Sequence, residues 1–168
     1  MFTPRHATPC DATPRSIADW MLEGVSAAAL LVAIGDVAFH WSMLPERIPV
    51  HFGATGSPNA WGNKSMLLLL LGTTVVMALL LTVAETYQRL INIPMKIDRD
   101  SPEVRHVLRS MVILMKAVIT VSSVWIVDLT MRTAVGEANG LGVAFLPVFA
   151  IGVLTPVIYY LVKLARLS

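Results

Sequence analysis

Residues 44–64 have the sequence LPERIPVHFGATGSPNAWGNK and separate two long hydrophobic stretches of the chain. Three prolines within this segment exclude a continuous helix, because proline lacks an amide hydrogen and restrains the residue before it. Residues 48–52 are predicted to be extended, and the glycines, serine and asparagine that follow are typical of turns. We therefore predict that this segment is a loop with a defined shape. The loop closes with the pair Trp61-Gly62.

The composition indicates a protein that is solvated by lipid. Of the 168 residues, 55% are hydrophobic and 14% are charged, and the mean hydropathy is +0.68. Soluble domains carry about a quarter charged residues. The net charge of +2 and the lack of a basic stripe argue against a nucleic acid partner. Cys10 is the one cysteine, which excludes an intrachain disulfide and a cysteine-based metal site.

Four hydrophobic segments are predicted to be transmembrane helices, since a spanning helix needs about 20 largely apolar residues. The tail before them, residues 1–16, is rich in Thr, Pro and Ala and is predicted to be disordered. Pro147 and Pro156 are predicted to kink the fourth helix. The fold class is thus an all-α membrane protein, with one domain over residues 17–168 and a structured loop between the first two helices. The predicted spans are residues 17–41, 65–84, 104–133 and 141–164.

The distribution of basic residues predicts the orientation in the membrane. Nine lysines and arginines lie in the tail, in the loop between the second and third spans with its flanks, or at the C-terminus, whereas three lie on the opposite side. Cytoplasmic loops carry an excess of these residues. We therefore predict that both termini are cytoplasmic and that the loop of residues 44–64 faces outward.

The pattern LPxxIPxHFGxxGxPxxWGxK resembles the signature of the SdpI-like bacterial membrane family. The resemblance covers residues 44–132 and implies a multi-pass protein of the bacterial inner membrane that gives immunity against a toxin peptide. It also implies capture of a transcriptional regulator, for which the cytoplasmic loop of residues 87–105 is the predicted surface. The resemblance rests on Leu44, Pro45, Ile48, Pro49, His51, Phe52, Gly53, Gly56, Pro58, Trp61, Gly62 and Lys64.

The outward loop supplies the candidate ligand-binding residues. The family pattern keeps a histidine at the place of His51, which favours a functional role over a turn-capping one. Trp61 is interpreted as a lid or an interfacial anchor, and Lys64 as a marker of the membrane boundary. The candidates are Pro49, His51, Phe52, Gly56, Trp61 and Lys64.

Ionisable residues within the spans form an inner and an outer set. Each costs about 2.5–3.5 kcal/mol to insert, so such groups are expected to face the bundle and to find partners. The inner set is Glu23, Glu85 and Lys116, in which Lys116 is predicted to lie between the two carboxylates. This set could form a structural salt bridge, or it could belong to a pathway for protons or ions.

The outer set is Asp36, His40, Asp128 and Arg132. Asp36 and His40 are four residues apart, as are Asp128 and Arg132, so each pair shares a helix face. Asp36, His40 and His51 are candidates for a divalent metal site. A hydrogen bond between Asp36 and His40 beside Arg132 is the alternative.

Three functions are compatible with these features. The first is a binding, immunity or sensing protein whose outward loop recognises a peptide or envelope ligand. The second is a small intramembrane hydrolase or metal-dependent enzyme that uses Asp36, His40 and His51, although no nucleophile elbow, phosphate loop or HExxH motif supports it. The third is a transporter subunit within a homo-oligomer. No cofactor is predicted. A hydrogen bond of His51 within its own loop would favour a binding function over a catalytic one.

Overall fold

The structure, a computed structural model, describes residues 14–88, 91–92 and 97–167. Within these residues, four helices are long and apolar enough to cross a membrane, which confirms the prediction of four such helices. The disorder predicted for residues 1–13 lies outside the described residues, as do residues 89–90 and 93–96 of the predicted regulator loop. The elements are α1 (Ile17–His40), β1 (Arg47–Phe52), β2 (Pro58–Asn63), α2 (Met66–Thr86), α3 (Pro102–Ala134) and α4 (Phe145–Ala165).

α1 begins with a capping box formed by Ser16 and Asp19. The Ser16 hydroxyl accepts a hydrogen bond from the Asp19 amide (3.1 Å), and the Asp19 carboxylate accepts one from the Ser16 amide (3.0 Å). Two amides that lack a helical partner are thereby satisfied. The prediction of disorder up to residue 16 is therefore wrong at its end, where the capping box orders the chain.

α3 begins at Pro102, with Ser101 as the N-cap and the acidic Glu103 in the first turn, a combination typical of a helix start. Proline is suited to this position because its missing amide would have no helical acceptor there. The carboxylate of Glu103 lies near the positive end of the helix dipole.

α4 begins at Phe145 and not at residue 141 as predicted. Gly140 and Gly142 have φ angles of +122° and +79°, a left-handed backbone that is incompatible with a right-handed helix. Pro147 consequently lies in the first turn, where it removes no intrahelical hydrogen bond, so the predicted kink there is wrong. Pro156 does lie inside the helix.

α3 is the central helix and packs against α1, α2, α4 and β1. Its buried face includes polar side chains, among them Ser110, Lys116 and Thr120. α4, in contrast, buries Phe145 and Leu164 and exposes most of its apolar side chains. Lipid is the solvent that suits such a surface.

β1 and β2 form an antiparallel hairpin in which Arg47 is opposite Asn63 and Pro49 is opposite Trp61. The sequence predicts the extended β1 but not β2, because proline, asparagine and glycine are depleted in strands. Pairing with β1 overrides that preference. The hairpin is anchored through Ile48, which is 1% exposed and belongs to a buried apolar cluster. The other buried members are Ala33, Val37, Leu44, Leu67, Leu71, Val127 and Met131.

This cluster fixes the hairpin to the helices at the end of the bundle where α1 and α3 end and α2 begins. We call it the hairpin end. The packing explains why a segment of 21 residues with two bulges, on either side of His51, keeps one conformation. An isolated two-stranded hairpin is marginally stable in water.

Candidate functional site

The turn of the hairpin is docked by backbone contacts onto the loop between α3 and α4. The Leu141 amide donates a hydrogen bond to the Gly56 carbonyl (2.8 Å). Gly56 has a φ of +78°, and a Cβ atom at this position would overlap the backbone of Gly142. Gly56 therefore meets two requirements that no other residue type meets, a left-handed conformation and a close backbone approach.

The base of the hairpin is tied to the end of α1 by Lys64. The Lys64 ammonium lies 2.9 Å from a Glu46 carboxylate oxygen and 5.3 Å from the centre of the Trp41 ring. The Lys64 amide also donates to the Glu46 carbonyl (3.1 Å). The hairpin is thus held at its base and at its turn, which leaves the strands between them in a fixed orientation.

His51 forms its hydrogen bond inside the hairpin. Its Nδ1 donates to the Asn59 side-chain oxygen across the two strands, at 2.6 Å. The ring lies on the exposed surface of the hairpin. Val50 and Trp61 of the same hairpin are also exposed, by 41% and 45%. The hairpin therefore presents an imidazole, an indole and an aliphatic side chain on its surface, which we call the hairpin rim.

Pro49 and Phe52 lie toward the helices, on a side of the hairpin that Val50 also faces. They line an apolar cleft of about 350 Å³ between β1, α2 and α3. Thr73 and Thr130 are the hydroxyl-bearing members of that lining. The cleft opens beside apolar helix surfaces, where Met66 and Leu69 are exposed.

The outer set lies around a second cavity, of about 590 Å³, at the hairpin end. The His40 Nδ1 is 2.9 Å from Asp36 Oδ1, whereas Arg132 is 3.8 Å from Asp128 and 3.7 Å from Glu137. His51 is not among the lining residues. In the described ranges, no group of three or more His, Cys, Asp and Glu residues is placed to hold a metal ion.

The inner set meets at one buried ammonium group toward the opposite end of the bundle. Lys116 Nζ lies 2.6 Å from Glu23 and 3.2 Å from Glu85, and it donates to the Thr82 hydroxyl (2.9 Å). Arg15 pairs with the other oxygen of Glu85 at 2.8 Å. Lys116 is 3% exposed and Glu85 is 1% exposed. Two cations and two carboxylates thus connect the start of α1 with α2 and α3, and we call them the inner network.

Sequence reasoning missed Arg15 and Thr82 as partners of the inner network, and Asp19 as a buried polar residue. Asp19 is 2% exposed and accepts a hydrogen bond from the Ser110 hydroxyl of α3 (2.9 Å). The spacing of Ser16 and Asp19 is a helix-start signal that would have found the capping box. Nothing in the sequence pattern distinguishes Arg15 from an ordinary flanking arginine.

The match with known families falls on the part of the chain that contains the hairpin. Residues 28–76 match the model of a domain of unknown function, DUF1648. The DUF1648 segment runs from within α1, through both strands, into α2, and it contains all six candidate residues of the loop. No curated protein and no solved structure matches the chain. The SdpI-like resemblance has no named relative to support it and stays a prediction.

Proposed function

We propose that this chain is an SdpI-like membrane binding protein of the immunity or sensing kind, whose hairpin rim recognises a peptide or another envelope ligand. The observation that carries the proposal is the hydrogen bond between His51 and Asn59. In this hydrogen bond the imidazole holds the shape of the hairpin rim. His51 does not line the cavity that His40 lines. A histidine placed in this way favours recognition over catalysis.

The rigidity of the hairpin supports a binding role. Its base is held by Lys64 and Glu46, and its turn by Gly56 and Leu141. A surface that is already ordered loses little conformational entropy when a ligand binds. Trp61 adds an exposed aromatic side chain, the type most often found to dominate binding energy at interfaces.

A survival assay tests this role. Cells that express the chain are challenged with a panel of cationic amphipathic peptide toxins, and the inhibitory concentration of each peptide is measured. We expect the chain to raise that concentration for one or more peptides, and Trp61→Ala and His51→Ala each to return it to the value of cells without the chain. The indole supplies contact area, and the imidazole keeps Asn59 in place.

Trp20→Ala is the matched control for this assay. Trp20 is also exposed (61%), but it lies in the first turn of α1, away from the hairpin end. Its removal is expected to keep protection. Full protection by both hairpin variants, at equal amounts of protein in the membrane, would contradict the proposed role of the hairpin rim.

The proposal places the hairpin outside the cell, as the distribution of basic residues favours. In a Cys10→Ser background, we expect Ala60→Cys on the exposed β2 to react with a membrane-impermeant maleimide in intact cells. In the natural sequence, Cys10 is expected to react only after the cells are lysed. Labelling of position 60 only after lysis would reverse the orientation and rule out an external ligand.

The hydrolase alternative has less support. It requires His51 together with Asp36 and His40, and His51 does not line the cavity that contains the other two. The transporter alternative would use the inner network as a proton or ion pathway. Neither of the two cavities described above is lined by Glu23, Glu85 or Lys116, so recognition has more support.

A further inference from the structure

The cavity at the hairpin end is lined by the last turns of two helices and by the segments that follow them. Asp36 and His40 come from α1, and Asp128 and Arg132 come from α3. The volume of about 590 Å³ falls in the range of small-molecule sites, which extends from about 300 to 1,000 Å³. The remaining lining residues are Met43, Leu44, Met131, Val135 and Glu137.

The fixed charges make this cavity electronegative. Three carboxylates, of Asp36, Asp128 and Glu137, line it together with the single guanidinium of Arg132. The net charge of the lining side chains is negative for either charge state of His40. Both helices also end here, and the C-terminal end of a helix carries partial negative charge. The side chains and the backbone therefore act in the same direction and favour a cation.

The existing ion pairs leave room for an added positive charge. Arg132 is 3.8 Å from Asp128 and 3.7 Å from Glu137, so its contacts with both are long for charge-assisted hydrogen bonds. Asp36 is paired with the imidazole of His40. An incoming cation would compete with Arg132 for Asp128 without first breaking a short, buried pair.

The rest of the lining is apolar. Leu44 and Met131 are buried (5% and 6% exposed), and Met43 and Val135 complete this part of the wall. Methionine adapts to the shape of apolar ligands and is polarizable. An inorganic cation with its water shell would gain nothing from such a wall, whereas an alkyl group would be removed from water by it.

We propose that this cavity is a binding site for an organic monocation with an apolar body, of the alkylammonium type. The ammonium group binds beside Asp36 and Asp128, and the alkyl group packs against Met131 and Leu44. The site is separate from the hairpin rim and does not depend on what the rim recognises. Leu44, which lines the cavity, is followed by Pro45 and Glu46 before β1 begins.

The probe for this site is n-hexylammonium, titrated into the 168-residue chain in phosphatidylcholine nanodiscs, with empty nanodiscs subtracted. Binding is measured by calorimetry. We expect hexylammonium to bind, hexanol and hexanoate not to bind, and Mg²⁺ not to displace it. Asp128→Asn should weaken binding about fivefold, and the Asp36→Asn/Asp128→Asn double variant about 20-fold if the effects add.

Arg132→Gln supplies the decisive comparison, because the proposal requires this variant to bind hexylammonium more tightly, whereas the Asp variants bind it more weakly. Removing the competing guanidinium should tighten hexylammonium binding by about threefold. A damaged fold weakens binding in every variant and cannot produce this increase. Glu103→Gln, at the exposed start of α3 and far from the cavity, is the matched control and should leave the affinity unchanged.

Three results would overturn the proposal. One is equal affinity for hexylammonium and hexanol, which would show that charge plays no part. Another is displacement by Mg²⁺ at equal concentration, which would show a site for bare cations. The third is an affinity that falls in Arg132→Gln as it does in Asp128→Asn. Loss of peptide protection in Trp61→Ala is measured separately, so failure of this site and failure of the hairpin rim are distinguishable.

Discussion

Replacing Lys116 by methionine is expected to lower the free energy of unfolding by about 3–5 kcal/mol, the usual cost of removing one partner of a buried ion pair. The Lys116 ammonium is the cation nearest to Glu23 and one of two that contact Glu85. Methionine fills a similar volume but leaves the Glu23 carboxylate without this cation. Thermal unfolding of the purified chain in a fixed detergent measures the change.

Two further variants separate charge from packing at this site. In the Lys116→Met/Glu23→Gln double variant, one carboxylate is neutralised together with the ammonium, so part of the lost stability should return. Arg15→Gln should cost less than Lys116→Met, because Arg15 is 28% exposed and water screens its pair with Glu85. An unfolding temperature of Lys116→Met equal to that of the natural sequence would show that the inner network contributes nothing to stability.

The second large effect is expected for Gly56→Ala. The left-handed conformation at this position costs a residue with a Cβ atom about 1–2 kcal/mol. The methyl group would also overlap the backbone of Gly142 and separate the hairpin turn from the α3–α4 loop. The hydrogen bond from Leu141 would be lost as well, so we expect the free energy of unfolding to fall by about 2–4 kcal/mol in total. Limited proteolysis should then cut within residues 53–57.

Gly53→Ala is the matched control in the same turn. A Cβ atom there would lie 3.5 Å from the Asn59 amide nitrogen, an ordinary contact, and Gly53 does not have a left-handed conformation. Its unfolding temperature and protease pattern should therefore stay close to those of the natural sequence. If Gly56→Ala behaves like Gly53→Ala, the contact between the turn and the α3–α4 loop is not what orders the hairpin.

These two predictions connect stability with the proposed function. Lys116 joins three helices toward one end of the bundle, and Gly56 fixes the hairpin at the other. Loss of the first should weaken the whole bundle, whereas loss of the second should loosen the hairpin while the helices remain. A Gly56→Ala chain that stays in the membrane but no longer protects cells would support recognition by an ordered hairpin.

Much of the fold follows from local sequence properties. The four helices follow from the length of the apolar segments, because a lipid environment requires about 20 such residues in each span. The start of α3 follows from Pro102, whose effect acts within the first turn of the helix. The meeting of Glu23, Glu85 and Lys116 follows from their depth in the spans, since helical rise converts position into height.

The functional surfaces depend on contacts between residues that are far apart in the chain. The strand Pro58–Asn63 forms against its own propensity because β1 lies beside it, and Gly56 acquires its role only when the α3–α4 loop docks on it. Arg15 joins Glu85 across 70 residues.

The amino-acid sequence by itself determined which segments enter the membrane, where α3 begins and which charges lie at similar depth, because hydrophobicity, capping and helical rise act locally. The tertiary structure alone decided that His51 bonds within the hairpin, that Gly56 meets a second loop, and that two helix ends enclose a negative cavity. These features depend on distances between side chains of different elements, and such distances are set by packing.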